Sequence, residues 1–154
     1  GYHKKPEATL EVEWFDAQGL RFIRSGDVGR FDADGFLELV DRRKDVIISG
    51  GFNVYPSDLE AVLREHVGVA EAAVVGVPSA RWGETPVAFV VVRSPSNADA
   101  ATDTSALLAW TNARLGKTQR LHDLLIVDEL PRNAIGKVLK RELRERYGLE
   151  LRER

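Results

Sequence analysis

Residues 131–143, Pro-Arg-Asn-Ala-Ile-Gly-Lys-Val-Leu-Lys-Arg-Glu-Leu, place Lys137 directly behind Gly136 on a short polar loop, just ahead of a charged amphipathic helix. An ammonium on a flexible stem is a compact point charge with rotatable donors. A glycine before it opens backbone conformations closed to other residues, so such a loop can deliver the charge to a phosphate. By itself Ile135-Gly136-Lys137 reads more readily as the solvated start of a helix, since exposed lysines near helix ends are common. Two other stretches change that. Ser25-Gly26-Asp27 sets a carboxylate in a tight turn between two expected strands, where its oxygens can accept a pair of neighbouring hydroxyls such as those of a ribose. Then Asp41-Arg42-Arg43-Lys44-Asp45 forms a charged break between two apolar strands, followed by Ser49-Gly50-Gly51-Phe52-Asn53-Val54-Tyr55-Pro56. Such a break suits a joint.

Together these segments resemble the adenylate-forming superfamily of acyl-CoA synthetases, adenylation domains and luciferases. That family carries, in order, a Thr-or-Ser-Gly-Asp motif, an Asp-Arg-x-Lys-Asp stretch with a Gly-Gly-x-Asn-Val-x-Pro tail, and a Pro-x-x-x-x-Gly-Lys motif; all three are present here in that order. Gly1-Tyr2-His3-Lys4-Lys5-Pro6-Glu7-Ala8-Thr9 also looks like the family segment just upstream of the Gly-Asp motif. One such motif is weak evidence, and the coincidence of several is strong.

The resemblance implies roles. Lys137 would stabilise the charge that gathers on the α-phosphate as a carboxylate displaces pyrophosphate from ATP. Asp27 would hold the ribose hydroxyls, Arg42 would contact the nucleotide, and Lys44 would be the hinge of a rigid-body swing that presents different faces to the two half-reactions. Ser49, Gly50 and Gly51 would line the path of the CoA pantetheine. Without the family, Asp27 reads as a turn-stabilising residue, Arg42 as a surface ion pair, Lys44 as an exposed charge and the glycine pair as a plain strand-end turn. The string Ile48 to Pro56 looks more like CoA ligases than peptide-synthetase adenylation domains, and Ser25 in place of the commoner threonine keeps the hydroxyl. Trp82-Gly83-Glu84 also matches a family segment, with Trp82 expected in the core.

The expected function is therefore that of the C-terminal part of an acyl-CoA synthetase, using ATP, Mg2+ and CoA on a fatty or other carboxylic acid. The competing readings are a peptide-synthetase adenylation domain and a non-enzymatic binding module that keeps the same small fold. The family's large N-terminal domain, with its phosphate loop and acyl pocket, cannot be found here. The chain also starts with glycine and contains no methionine, so a C-terminal piece, inactive alone and with no ligand bound, is expected.

Composition narrows the rest. At 154 residues and 44% hydrophobic, the chain can bury one sizeable core. A formal charge of −2, with 30% charged residues, gives no net attraction for nucleic acid or an anionic membrane. No run of about eighteen apolar residues offers a membrane span, and nothing resembles a signal peptide, so a cytoplasmic setting is the default. Absence of cysteine excludes disulfides, thiolate metal sites and a cysteine nucleophile. His3, His66 and His122 are too scattered to propose a zinc site.

These groups need elements to hold them. Hairpins are expected around Asp16-Ala17-Gln18 and Asp32-Ala33-Asp34-Gly35, the latter with an Asp-Gly turn signal. By resemblance they are the last strands of the absent domain, which leaves Trp14, Phe22, Phe31 and Phe36 short of partners and the region mobile or paired with another copy. A Ser57-x-x-Glu60 capping box opens a helix bearing Leu59, Val62, Leu63 and His66. Strands are expected at Val69 to Val77, Val87 to Arg93 and Leu124 to Val127, and a loop at 94–103. A helix should run from Ser105 to Leu115 with Gly116 as its cap, and a last one from Lys140 to Tyr147 with Leu143 and Tyr147 inward and Gly148 as its stop. The predicted fold is α+β, a small mixed sheet covered by helices and preceded by short antiparallel hairpins left over from a larger domain. Expected boundaries are 1–41 for those strands, 42–45 for the hinge and 46–154 for a small lid domain.

Overall fold

The structure is a computed structural model that describes residues 2–93 and 103–153, with side chains described as far as Gly148. It divides into two compact units, Gly1–Lys44 and Asp45–Arg154. The loop expected over 94–103 lies outside the described residues, except for Asp103.

The first unit opens with a helix that sequence reading missed, α1 (Pro6–Val12). Pro6 at the first helical position is pre-set for helical φ, and the Thr9 hydroxyl donates to the Lys5 carbonyl while accepting from the Tyr2 amide. The two hairpins form as expected. In the first, β1 (Glu13–Phe15) pairs with β2 (Arg21–Ile23), setting Trp14 opposite Phe22 with ring centroids 5.1 Å apart. In the second, β3 (Asp27–Phe31) pairs with β4 (Leu37–Arg42). Asp16 and Asp32 each use Oδ1 to accept two amides of their own turn, which explains the aspartate at each hairpin bend. These are separate two-stranded sheets. Phe31 and Phe36 remain 74% and 70% exposed, so the expected shortage of partners for these rings is real.

The second unit is built on one five-stranded mixed sheet. It comprises β5 (Ile47–Ser49), β6 (Phe52–Val54), β7 (Val69–Ser79), β8 (Gly83–Val92) and β9 (Asp123–Ile126). β7 and β8 make the long antiparallel ladder, Val69↔Val92 to Ser79↔Gly83. On the other edge of β8, β5 meets it at Ser49↔Gly83 and β9 runs parallel from Val87↔Asp123 to Val90↔Ile126. Apolar side chains alternate between the two faces, as strand geometry dictates. On one face Val74, Ala88 and Val90 pack with Leu59 and Leu63 of α2 (Pro56–Glu65) and Leu107 of α3 (Thr104–Asn112). On the other, Ala73, Val75, Val87 and Phe89 pack with Leu130 and with Leu143 and Tyr147 of α4 (Lys140–Glu153).

Helix ends depart from expectation for tertiary reasons. The N-cap of α2 is Tyr55, not Ser57 as the expected Ser57–Glu60 capping box requires, and Pro56 takes the first helical position. Glu60 is drawn instead into a tie between three elements, its Oε1 accepting from the Val74 amide at 2.9 Å and from Lys140 Nζ at 2.8 Å. Gly116 is not a left-handed cap. α3 ends earlier, where the Asn112 side chain exchanges two hydrogen bonds with the Leu121 backbone, and Gly116 starts a 3-10 turn over Lys117–Gln119. Gly148 does not stop α4, which continues to Glu153.

Candidate functional site

The loop before α4 is closed on itself. Arg132 and Val138 form an isolated antiparallel bridge, and the Asn133 amide donates to the Lys137 carbonyl at 2.9 Å. Asn133 Oδ1 accepts the Lys137 amide at 2.8 Å and the Ile135 amide at 3.2 Å, an Asx-type arrangement that organises four residues around one side chain. Gly136 turns the chain at φ +80°, which a residue with a Cβ rarely adopts. The outcome is a braced backbone from which the Lys137 side chain projects into solvent. Among the described residues no ion pair engages its ammonium, although neighbouring Arg132 and Lys140 are both paired. An unneutralised cation on a stiff loop can meet an incoming anion without first breaking a salt link.

Asp27 and Arg42 belong to the first unit and are brought together. Asp27 lies at the start of β3 rather than inside the turn as expected; the turn is Ser25-Gly26, with Gly26 at φ +79° and the Ser25 hydroxyl accepting the Asp27 amide. Arg42 is the last residue of β4, directly opposite Asp27, with Nε 3.5 Å from Oδ1. The strand register therefore couples an acceptor for hydroxyls with a donor for phosphate or ribose oxygens. Half of the Arg42 side chain stays exposed, and both groups remain open to a ligand. Lys44 is exposed in the turn that ends the first unit. The next residue, Asp45, is held by Arg144 of α4 at 3.3 Å, which ties the first residue of the second unit to its last helix.

Ser49, Gly50 and Gly51 sit on the hairpin between β5 and β6. Gly50 and Gly51 both have positive φ, +57° and +83°, the signature of a two-residue turn matched to strand twist. Trp82 overturns its expected core position: it is 47% exposed and lies against the hairpin, where a Cβ on Gly50 would come within 2.9 Å of its ring. The Gly50 amide donates to the Trp82 carbonyl at 2.8 Å, and Glu84 accepts the Ile48 amide at 2.9 Å. The Trp82-Gly83-Glu84 segment is thus the bracket of the glycine hairpin.

Beside it opens a cleft of about 420 Å³ whose walls include Ser49, Gly50, Trp82, Lys117, Arg120 and His122. Sequence reading missed the last three. Lys117 and Arg120 carry no motif of their own, and the 3-10 turn over Lys117–Gln119 brings them beside the hairpin. The cleft offers an aromatic face, a backbone free of side chain and two basic side chains, a set suited to an elongated ligand bearing phosphate. Among the described residues no group of three or more His, Asp or Glu side chains is placed to hold a metal, and no helix is long and apolar enough to cross a membrane.

Comparison with known proteins finds relatives over nearly the whole chain. The chain is 47% identical over 146 residues to a 2-succinylbenzoate–CoA ligase of Geobacillus kaustophilus, covering 94% of this chain and 28% of that protein. It is 43% identical over 151 residues to a feruloyl-CoA synthase of an Amycolatopsis species, covering 96% and 28%. Among solved structures, ATP-bound MatB from Rhodopseudomonas palustris superposes with a TM-score of 0.80 at 39% identity, over 96% of this chain and 28% of that one. The chain therefore spans little more than a quarter of the length of these relatives. Residues 58–137, from the first turn of α2 to the projecting lysine, match the model of the AMP-binding enzyme C-terminal domain, and the chain belongs to that family.

Proposed function

We propose that this chain is the C-terminal part of an AMP-forming acyl-CoA synthetase, and that Lys137 supplies the cation for its adenylation step. The observation that carries this reading is the exposed ammonium of Lys137, without an ion pair among the described residues, on a loop braced by Asn133 and Gly136. In the reaction a substrate carboxylate attacks the α-phosphorus of ATP, supplied with Mg2+, and the α–β phosphoanhydride bond breaks to release pyrophosphate. The CoA thiol, losing its proton, then attacks the acyl carbonyl and AMP leaves. A positioned cation stabilises the charge on the non-bridging oxygens of the first transition state. Asp27 accepts the ribose hydroxyls and Arg42 donates to the nucleotide. Residues 42–45 are the hinge about which 46–154 swings as a lid, with Lys44 at its centre, and 1–41 complete a larger N-terminal domain that supplies the acyl pocket. Ser49, Gly50 and Gly51 border the pantetheine path, and the cations of the adjoining cleft suit the phosphates of CoA. The parent acts where ATP and CoA are available, in the cytoplasm. Peptide-synthetase chemistry has less support, since the relatives named above are CoA ligases and synthases.

The test is a screen of carboxylic acids, from aryl to long-chain fatty acids, with the full-length parent, ATP and Mg2+, reading AMP release with and without CoA. CoA-dependent AMP release with at least one acid is expected, and none from the 154-residue chain alone. Turnover by the isolated chain would refute the need for a second domain, and a parent inert to every acid would favour the binding-module reading. Arg120→Ala in the parent should raise the KM for CoA by about tenfold, the loss of one charge-assisted contact, with adenylation unchanged. An unchanged KM would remove the cleft from the CoA path.

A further inference from the structure

The backbone of the Lys137 loop is tied to the sheet through Arg132, one of the positions that the Pro-x-x-x-x-Gly-Lys motif leaves open. Arg132 Nη1 donates to the carbonyl of Gly136 at 2.6 Å, the peptide group that leads directly into Lys137. Its Nη2 is bonded to Glu71 Oε2 on β7. One planar guanidinium therefore links the sheet to the turn residue beside the projecting lysine, with both donors of its fork in use.

A second, independent feature explains why Glu71 is available. The β7–β8 ladder contains an irregularity between Val69 and Glu71. Val69 packs on the α2/α3 face, and strict alternation from Val69 would send Glu71 to that same apolar face. Beyond the bulge the parity is reversed: Ala73 and Val75 face α4, Leu130 and Val138, and Glu71 stands in register with them. The extra residue re-aims one carboxylate toward the loop.

We propose that Arg132 is a positioning residue for Lys137, clamped between Glu71 and the Gly136 carbonyl so that the lysine departs from one fixed backbone direction. The inference rests on the adenylation reading of Lys137 and adds to it the device that aims the charge. An ammonium at 132 keeps the charge but loses the planar two-site fork, so Arg132→Lys should behave as Arg132→Gln does.

Two measurements test this. In the 154-residue chain, Arg132→Gln, Arg132→Lys and Glu71→Gln should each speed amide hydrogen exchange at Gly136 and Lys137 by about tenfold or more, with the amides of β7 and β8 unchanged. Unchanged loop exchange, or wild-type exchange in Arg132→Lys, would overturn the clamp. In the full-length parent, Arg132→Gln should lower kcat for adenylation about tenfold, KM for ATP staying within about twofold, while thioester formation from supplied acyl-adenylate is retained. Equal losses in both half-reactions would reduce Arg132 to a structural residue, and an unchanged adenylation rate would sever it from Lys137. Should Lys137→Ala itself leave adenylation intact, the functional reading fails, whereas the exchange data still report on the clamp alone.

Discussion

Replacing Lys137 by alanine in the full-length parent should lower the rate of adenylation by about 10²–10³, the scale of removing one aligned transition-state donor, or about 2.7–4 kcal/mol of barrier. Thioester formation from supplied acyl-adenylate should change by less than about threefold, because that step no longer develops charge at the phosphorus undergoing displacement. The folded chain should tolerate the substitution. Lys137 is exposed, has no ion pair among the described residues, and its backbone is held by Asn133 whatever the side chain. A drop in stability is therefore no alternative explanation for the lost rate. Pyrophosphate exchange measures the first half-reaction and thioester formation the second. Equal loss in both would contradict the role assigned to the ammonium.

The second large effect is on stability. Phe89→Ala should destabilise the second unit by about 3–5 kcal/mol, read as a shift in the denaturant midpoint of the chain. Phe89 is fully buried at the centre of the cluster between the sheet and α4, among residues that include Val75, Leu125, Leu143 and Tyr147. Truncation removes the transfer energy of the ring and leaves a cavity that a five-stranded ladder cannot close by small shifts. Against a total of about 5–15 kcal/mol for an ordinary domain, that loss approaches unfolding. Ile135→Ala is the matched control: Ile135 is 86% exposed at the tip of the Lys137 loop, so the change should stay within about 0.5 kcal/mol. A Phe89→Ala midpoint close to the wild-type value would mean that the second face of the sheet is not a cooperative core.

Several turns of this protein were readable from residues alone because they depend on neighbours in sequence, although α1, equally local, was missed. Asp16 and Asp32 bond amides two and four residues away, and Gly50, Gly51 and Gly136 adopt positive φ because their own turns demand it. The hairpins, the two long strands and the inward faces of Leu143 and Tyr147 follow from periods of two and 3.6. Motif order was likewise sufficient to recognise the family. Helix ends were less legible, because Glu60 and Asn112 satisfy partners on β7 and near β9 instead of their own helices.

What tertiary structure alone decided is which distant groups meet. Trp82 looked like core, yet it braces the glycine hairpin, since the edge of β8 runs past Ser49. Lys117, Arg120 and His122 became a cleft wall only when a short 3-10 turn aimed them at that hairpin. Glu71 reaches Arg132 across 61 residues because one bulge reverses the parity of β7. Sequence determined the turns, the periodicity and the place of Lys137 behind a turning glycine, since these depend on bonds within a few residues. Only the folded chain chose Glu71 as the distant partner of Arg132 in that loop, because strand register and side-chain parity are set by the packing of the whole sheet.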